Sequence, residues 1–302
     1  MVKSLVLENI SVGFKLPQGV FYAVDDVSLN LPGGNFTAII GESGCGKSVL
    51  GQAILNILPS GVVKKGRVLY NGEQVKKILS AFGIIPQNPS ESLNPVRKIG
   101  KQMQDILAVH NIGDSGNSYK KQCLRLFGLQ EAERVLAAYP HELSGGMLQR
   151  VLCAMAVSSK PEWILADEPT KGLDEQVGAV VRKNLLTIKQ DLHLSMLIIT
   201  HDIALAQEVC DDVLVMYAGQ VLEHNADIWH KPLHPYTKGF LQALPKNGLQ
   251  VIPGKAPVPG ESFTGCKFAA RCPYCTTRCK EEMPAMQQVG NAEVRCFLYA
   301  EG

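Results

Sequence analysis

The chain has 302 residues, of which 46% are apolar, with 30 basic and 28 acidic side chains. This length and apolar content predict one large or two modest globular domains with packed cores. The net charge of +2 gives no general electrostatic reason to bind nucleic acid, so nucleic acid is not an expected partner. No apolar run approaches the roughly eighteen residues of a membrane-spanning helix, and the N-terminal residues lack the apolar core of a signal peptide. We therefore expect a cytoplasmic location.

The first part of the chain has the pattern of an antiparallel sheet. Residues 5–14 and 24–31 alternate between apolar and polar side chains, which is typical of half-buried strands. Asp25 and Asp26 are expected to mark a turn, because aspartate is common in turns. Further strands are predicted over residues 36–40, 66–70 and 82–86.

A glycine-rich segment follows the apolar run 36–40 and precedes a helix-like stretch from Val49. Its glycines allow the backbone N–H groups to curl around a polyphosphate at a helix N-terminus. In such a phosphate loop Lys47 reaches the β- and γ-phosphates and Ser48 binds Mg²⁺. The sequence therefore predicts a nucleoside triphosphate site that includes Gly41, Glu42, Ser43, Gly44, Cys45, Gly46, Lys47 and Ser48.

The middle of the chain changes from strand to helix periodicity. Residues from about 88 to 160 predict a helical insert. Strand patterns return at 163–166 and 196–200 with a helix between them, which favours an α/β core with a mostly parallel sheet. A hairpin is predicted over residues 213–223, with its turn near Ala218 and Gly219.

Two carboxylates end the strand pattern WILAD. Asp167 suits the residue that holds Mg²⁺ through water. Glu168, the next residue, suits the base that orients the attacking water. Their position after an apolar strand in a chain with a phosphate loop predicts hydrolysis of the triphosphate.

The segment LSGGMLQR, residues 143–150, resembles the signature motif of the ATP-binding cassette family. The phosphate loop, Gln87, the acidic strand and the THD segment around His201 follow the order of that family. The resemblance implies a head-to-tail dimer in which each ATP lies between one subunit's phosphate loop and the other's signature helix. Ser144 and Gly146 would contact the partner's γ-phosphate, with Gly145 in the same binding motif.

Other site residues are implied by the same resemblance. Gln87 would contact ATP and Mg²⁺ and take part in catalysis, and His201 would brace the γ-phosphate and the water. Asp174 would contact the second subunit at the nucleotide. Phe14 corresponds by order to the aromatic residue that stacks on adenine, with Tyr22 as the alternative.

Three segments resemble the branch of the family that imports peptides and nickel: residues 85–100, 234–245 and 265–279. This implies a nucleotide-binding domain over residues 1–230 and a C-terminal extension over 231–302. The implied partners are a second, identical or different ATPase subunit, two membrane permease subunits and an extracytoplasmic substrate-binding protein, with the chain peripheral at the cytoplasmic face of the membrane. The alternative is a soluble cassette ATPase that acts as a mechanical clamp.

Five of the nine cysteines lie between Cys266 and Cys296. In the resembling branch some members hold a [4Fe-4S] cluster here, and Cys266, Cys272, Cys279 and Cys296 match those positions. Thiolates also suit Zn²⁺. Cys275 is an additional cysteine and an alternative ligand, so an iron–sulphur cluster, zinc and unligated reduced thiols all stay open.

Overall fold

The computed structural model describes residues 3–17, 19–74, 81–113, 116–173, 175–244, 248–258 and 261–300. These residues fall into two compact units. The helical unit contains Lys3, residues 32–36 and residues 81–209. The phosphate-loop unit contains residues 4–31, 37–74 and 210–300.

The strands are β1 (Leu5–Leu16), β2 (Gly19–Leu31), β3 (Phe36–Ile40), β4 (Val63–Tyr70), β5 (Glu73–Gln74), β6 (Phe82–Ile85), β7 (Trp163–Asp167), β8 (Ser195–Ile199), β9 (Asp212–Tyr217), β10 (Gln220–Asn225), β11 (Gln287–Val289) and β12 (Ala292–Val294). Strands β1 to β4 and β6 to β10 follow one another in the order that the sequence patterns predict, whereas β5, β11 and β12 were not predicted. The helices are α1 (Lys47–Leu55), α2 (Pro89–Ser92), α3 (Ile99–Val109), α4 (Asn117–Leu126), α5 (Ala132–Ala137), α6 (Gly145–Ser158), α7 (Glu175–Leu192), α8 (Ile203–Val209), α9 (Pro235–Gln242) and α10 (Thr277–Glu281).

An antiparallel sheet in the order β2-β1-β4-β5 opens the phosphate-loop unit. The expected turn at Asp25 and Asp26 is wrong, because β2 continues through both residues. Asp26 has a φ of 53° and donates its backbone N–H to the Ser11 hydroxyl over 3.0 Å. The β1–β2 register shifts at this point, so the pair is a β-bulge rather than a turn. Aspartate tolerates the left-handed conformation in a turn and in a β-bulge alike, so the sequence pattern did not distinguish the two.

A second set of paired strands carries the phosphate loop. Strand β3 runs parallel to β9, and β9 turns back into β10 at Ala218 and Gly219, where both φ angles are positive. The predicted hairpin is confirmed. Strand β12 pairs with β10 through Glu223 and Val294, so the C-terminal residues extend the strand pairing that begins beside the phosphate loop.

The helical unit is built around the parallel strands β6, β7 and β8. Helices α2 to α6 occupy the chain between β6 and β7, and α7 connects β7 to β8, so the predicted α/β class with a helical insert is confirmed. Helix α6 is buried along most of its length, which makes it the centre of the insert. Within the described residues no helix is both long enough and apolar enough to span a bilayer.

Candidate functional site

The phosphate loop joins β3 to α1 through glycines that no other residue could replace without strain. Gly41 has a φ of 149°, and a Cβ there would lie 2.2 Å from the Met216 carbonyl oxygen. Gly46 has a φ of 104°, and a Cβ there would lie 2.1 Å from the Ala23 carbonyl oxygen. The loop is therefore packed against two strands, and its glycines present backbone without side chains to an anion.

Lys47 is the first residue of α1 and only 8% exposed. Its ammonium nitrogen donates to the carbonyl oxygens of Gly41 and Glu42 over 2.9 and 3.0 Å. A buried ammonium needs such acceptors, because desolvating it without partners is unfavourable. The side chain is thus held in the loop by main-chain oxygens. Burial raises the pKa of Cys45 beside it, so that thiol stays neutral and fills space.

Glu42 has two partners that the sequence did not indicate. Its backbone N–H donates to the Tyr236 hydroxyl over 3.1 Å, and its carboxylate accepts from the Arg271 guanidinium over 3.1 Å to each oxygen. Arg271 is 229 positions away in sequence, and no local pattern announces such a pair. Both partners lie within residues 231–300, the described part of the predicted C-terminal extension.

A cavity of about 280 Å³ lies beside Gly44 in the phosphate-loop unit. Tyr22 lines it, whereas Phe14 lies opposite Phe21 in the β1–β2 pairing. Lys267 lines it from the extension and forms an ion pair with Asp25 over 2.8 Å. The remaining lining residues include Val20, Phe21, Ala23, Ala218, Gly219, Pro257, Val258, Glu261, Ser262, Phe263 and Met283.

Glu168 and His201 form a direct pair in the helical unit. Glu168 follows the last residue of β7 with a φ of 49°, and its N–H donates to the Ile199 carbonyl over 2.8 Å. Its carboxylate oxygen lies 2.6 Å from His201 Nδ1 and also accepts from the His201 N–H over 3.3 Å. A left-handed glutamate is a strained conformation of the kind that clusters at functional sites. The imidazole thus orients the carboxylate that the sequence nominates as the base.

The start of α6 carries the signature segment. Ser144 is the N-cap, and its hydroxyl accepts from the Met147 N–H over 3.3 Å. Gly145 is exposed, with open space where a Cβ would project. Gln149, which the sequence did not single out, is buried and donates to the Pro169 carbonyl over 3.2 Å. This bond ties the signature helix to the segment that follows Glu168.

The remaining predicted residues divide between the units. Asp167 ends β7 opposite Ile199 of β8, one residue before the Glu168 and His201 pair. Gln87 is exposed two residues after β6 ends. Asp174 lies outside the described residues. The helical unit therefore holds Gln87, Ser144, Gly145, Gly146, Asp167, Glu168 and His201, and the phosphate-loop unit holds Phe14, Tyr22 and residues 41–48.

The clustered cysteines of the extension lie close enough together to affect one another's pKa. Burial, and after it the charges of Cys279, Cys296 and Cys272, raise the pKa of Cys266 to about 11. The backbone N–H of the residue two positions later, Phe268, donates to this sulphur and lowers the pKa. Burial likewise raises the pKa of Cys272 and that of Cys296.

No three His, Cys, Asp or Glu side chains of the described residues are arranged to hold a metal ion. Thiols are the donors that an iron–sulphur cluster or Zn²⁺ takes, and five of them lie between Cys266 and Cys296. Gly265 allows the backbone at Cys266 to approach that at Cys279, since a Cβ on Gly265 would lie 2.4 Å from the Cys279 carbonyl oxygen.

Comparison with known proteins identifies the family. Residues 24–171 match the family model described as ABC transporter, and residues 222–279 match the one described as oligopeptide/dipeptide transporter, C-terminal region. The oligopeptide transport ATP-binding protein OppD of Haemophilus influenzae is 34% identical, with 98% of each chain covered. This chain belongs to the ABC transporter family. The dipeptide transport ATP-binding protein DppD of Escherichia coli is 36% identical to this ABC transporter chain over 95% of its length and 94% of the relative's.

Solved structures agree with the fold of this ABC transporter chain. The cbiO1 protein of Clostridium perfringens, part of the ABC transporter complex cbiONQ, has a TM-score of 0.61 and 27% identity over 74% of this chain and 88% of its own. The dimeric ATP-binding cassette MJ0796 bound to ADP and Pi has a TM-score of 0.61 and 25% identity, covering 73% and 97%. The predicted ABC ATPase fold is confirmed, and the chain is an ATP-hydrolysing transporter subunit.

Proposed function

We propose that this subunit powers import of peptides through two membrane permease subunits, with an extracytoplasmic protein that delivers the substrate. The observation that carries the proposal is the match of residues 222–279 to the oligopeptide/dipeptide transporter C-terminal region. The relatives named for oligopeptide and dipeptide transport, which align over nearly the whole chain, support it. Residues 1–230 would be the nucleotide-binding domain, with its helical part over about 88–160, and residues 231–302 the extension.

The ATP site is proposed to work by holding positively charged and N–H groups against the phosphates of ATP. Lys47, already held by loop carbonyls, contacts the β- and γ-phosphates, and the loop N–H groups bind the phosphate oxygens. Glu168 accepts a proton from the attacking water while His201 holds its carboxylate in place. Ser48, Asp167 and Gln87 stay the predicted oxygen ligands of Mg²⁺, and the ion would neutralise developing phosphate charge.

Hydrolysis is proposed to need two ATPase subunits. The exposed start of α6 at Ser144, Gly145 and Gly146 would receive the γ-phosphate bound to the other subunit, because a helix N-terminus favours an anion. Asp174 stays a prediction for the same interface. The other subunit is either a second copy of this chain or a related ATPase.

A groove in the helical unit is the proposed permease contact. It has a volume of about 540 Å³ and is lined by residues of β6 and of the helices that follow, among them Ile84, Arg97, Asp105 and Val109. Ile84 and Val109, which are 38% and 78% exposed, give the groove apolar side chains that a partner would cover. An amphipathic helix of a permease fits such a groove and would place the subunit at the cytoplasmic face of the membrane.

Uptake by cells of the source organism tests the transport proposal. In cells that lack this chain, we expect the wild-type protein to restore uptake of a labelled short peptide and Lys47→Ala to restore none. Lys231→Ala is the control, since that side chain is 80% exposed in the extension. Restoration of labelled nickel uptake instead of peptide uptake would move the substrate to nickel. Restoration of neither uptake would favour the alternative of a soluble cassette ATPase that acts as a mechanical clamp.

We also propose that Cys266, Cys272, Cys279 and Cys296 hold a thiophilic metal group, an iron–sulphur cluster or Zn²⁺. The donor chemistry of the four thiols supports the proposal, as does their proximity, since Cys272, Cys279 and Cys296 each affect the pKa of Cys266. Such a group would cross-link the loops of the extension and stabilise them.

Metal analysis of protein purified without oxygen tests this proposal. We expect iron with acid-labile sulphide, or zinc, in the wild type and its loss in a Cys266→Ser, Cys296→Ser double variant. Cys210→Ser is the control, because Cys210 lies outside the cluster. Loss in Cys275→Ser would make Cys275 a ligand, and metal-free wild-type protein would mean reduced thiols.

A further inference from the structure

Arg271 in the C-terminal extension is a buried cation whose carboxylate partner belongs to the phosphate loop. Its side chain is 7% exposed, and one guanidinium nitrogen lies 3.1 Å from both carboxylate oxygens of Glu42. The same nitrogen donates to the Tyr217 hydroxyl over 3.3 Å, and Nε donates to the Pro253 carbonyl over 3.1 Å. A guanidinium removed from water this far needs all of these acceptors, so its position is closely defined.

The aromatic cluster beneath Arg271 also holds the backbone of Glu42. The guanidinium carbon lies 5.7 Å from the centre of the Tyr217 ring, which is 4.6 Å from that of Tyr236. Tyr236 is fully buried, and its hydroxyl accepts the Glu42 N–H. Burial raises the pKa of Tyr236, which keeps this hydroxyl protonated. Glu42 is therefore fixed by its backbone and by its side chain at once.

The third group of Glu42, its carbonyl oxygen, accepts from Lys47 over 3.0 Å. Any displacement of Glu42 consequently displaces an acceptor of the ammonium group that the triphosphate needs. The Cys45 N–H donates to the same carbonyl over 3.3 Å, so the turn of the loop moves with it. A charge-assisted hydrogen bond of this kind contributes more than a neutral one.

We propose that Arg271 is a positioning residue of the ATP site, which holds Glu42 so that Lys47 and the loop N–H groups are preset for the triphosphate. The inference rests on the proposed role of the phosphate loop in binding ATP. It makes the extension a working part of the nucleotide site.

Steady-state ATPase kinetics of the complete transporter tests this role. We expect Arg271→Met to raise the KM for ATP about tenfold while kcat changes less than about threefold, since the loss is in nucleotide binding. Arg271→Lys keeps a cation near Glu42 and should recover most of the affinity. Arg278→Met is the control, because Arg278 pairs with Glu282 on the surface of the extension. A KM unchanged in Arg271→Met, with or without a lower melting temperature, would overturn the proposal.

A double-mutant cycle provides the second measurement and does not depend on the stability of one variant. Glu42→Gln should raise the KM for ATP, and Arg271→Met should add little to it, because both changes break one interaction. Independent effects of the two changes, which multiply in KM, would refute the proposal that Arg271 acts through Glu42. If Lys47→Ala abolishes turnover and the KM for ATP is unchanged in Arg271→Met, only this inference fails. If Lys47→Ala leaves turnover unchanged, the ATP-site assignment itself fails.

Discussion

Glu168→Gln is expected to lower ATP turnover by about 10²- to 10⁴-fold and to leave ATP binding intact. The amide has nearly the shape of the carboxylate but does not accept a proton from water. It can still face His201, whose Nδ1 lies 2.6 Å from the carboxylate oxygen. The nucleotide contacts made by the phosphate loop do not involve this side chain, so affinity should persist.

Phosphate release by the assembled transporter, together with binding of a fluorescent ATP analogue, measures the two effects separately. Glu175→Gln is the matched control, because Glu175 is an 85% exposed glutamate at the start of α7. It should keep wild-type turnover. A Glu168→Gln protein that retained most of its ATPase rate would show that another group activates the water.

Ser144→Arg is expected to lower turnover of the assembled transporter by about 10²-fold or more, without weakening ATP binding to the isolated chain. Ser144 caps α6 beside the open surface at Gly145, where the other subunit's γ-phosphate is proposed to bind. A long side chain there would occupy the phosphate position and remove the hydroxyl. Loss of one such donor typically has an effect of this size.

ATP binding to the isolated chain and ATPase rate of the complex are the two measurements that separate these outcomes. Ser118→Arg is the control, since Ser118 is an exposed serine in the first turn of α4. If ATP binding to the isolated chain falls with Ser144→Arg, the motif acts within its own subunit. Unchanged turnover in the complex would remove Ser144 from the nucleotide site.

Local signals in the sequence predicted much of the fold. The hairpin at Ala218 and Gly219 follows from residues that accept positive φ, and the phosphate loop follows from glycines between a strand and a helix. The failure at Asp26 has the same origin, because a residue that tolerates a turn also tolerates a bulge. The position of Glu168 after an apolar strand predicted its role, the family resemblance implied that of His201, and the structure added that the two side chains are in contact.

The sequence by itself therefore predicted the order of β1 to β4 and β6 to β10, the phosphate loop and the candidate base, since each is encoded in a few consecutive residues. Only the tertiary structure decided that Arg271 and Tyr236 hold Glu42 and that Gln149 ties the signature helix to Pro169. Arginine, tyrosine and glutamine carry no local signal of a distant partner. Their contacts arise when packing brings remote segments together, and burial then makes the choice of partner matter because an unpaired polar group is costly.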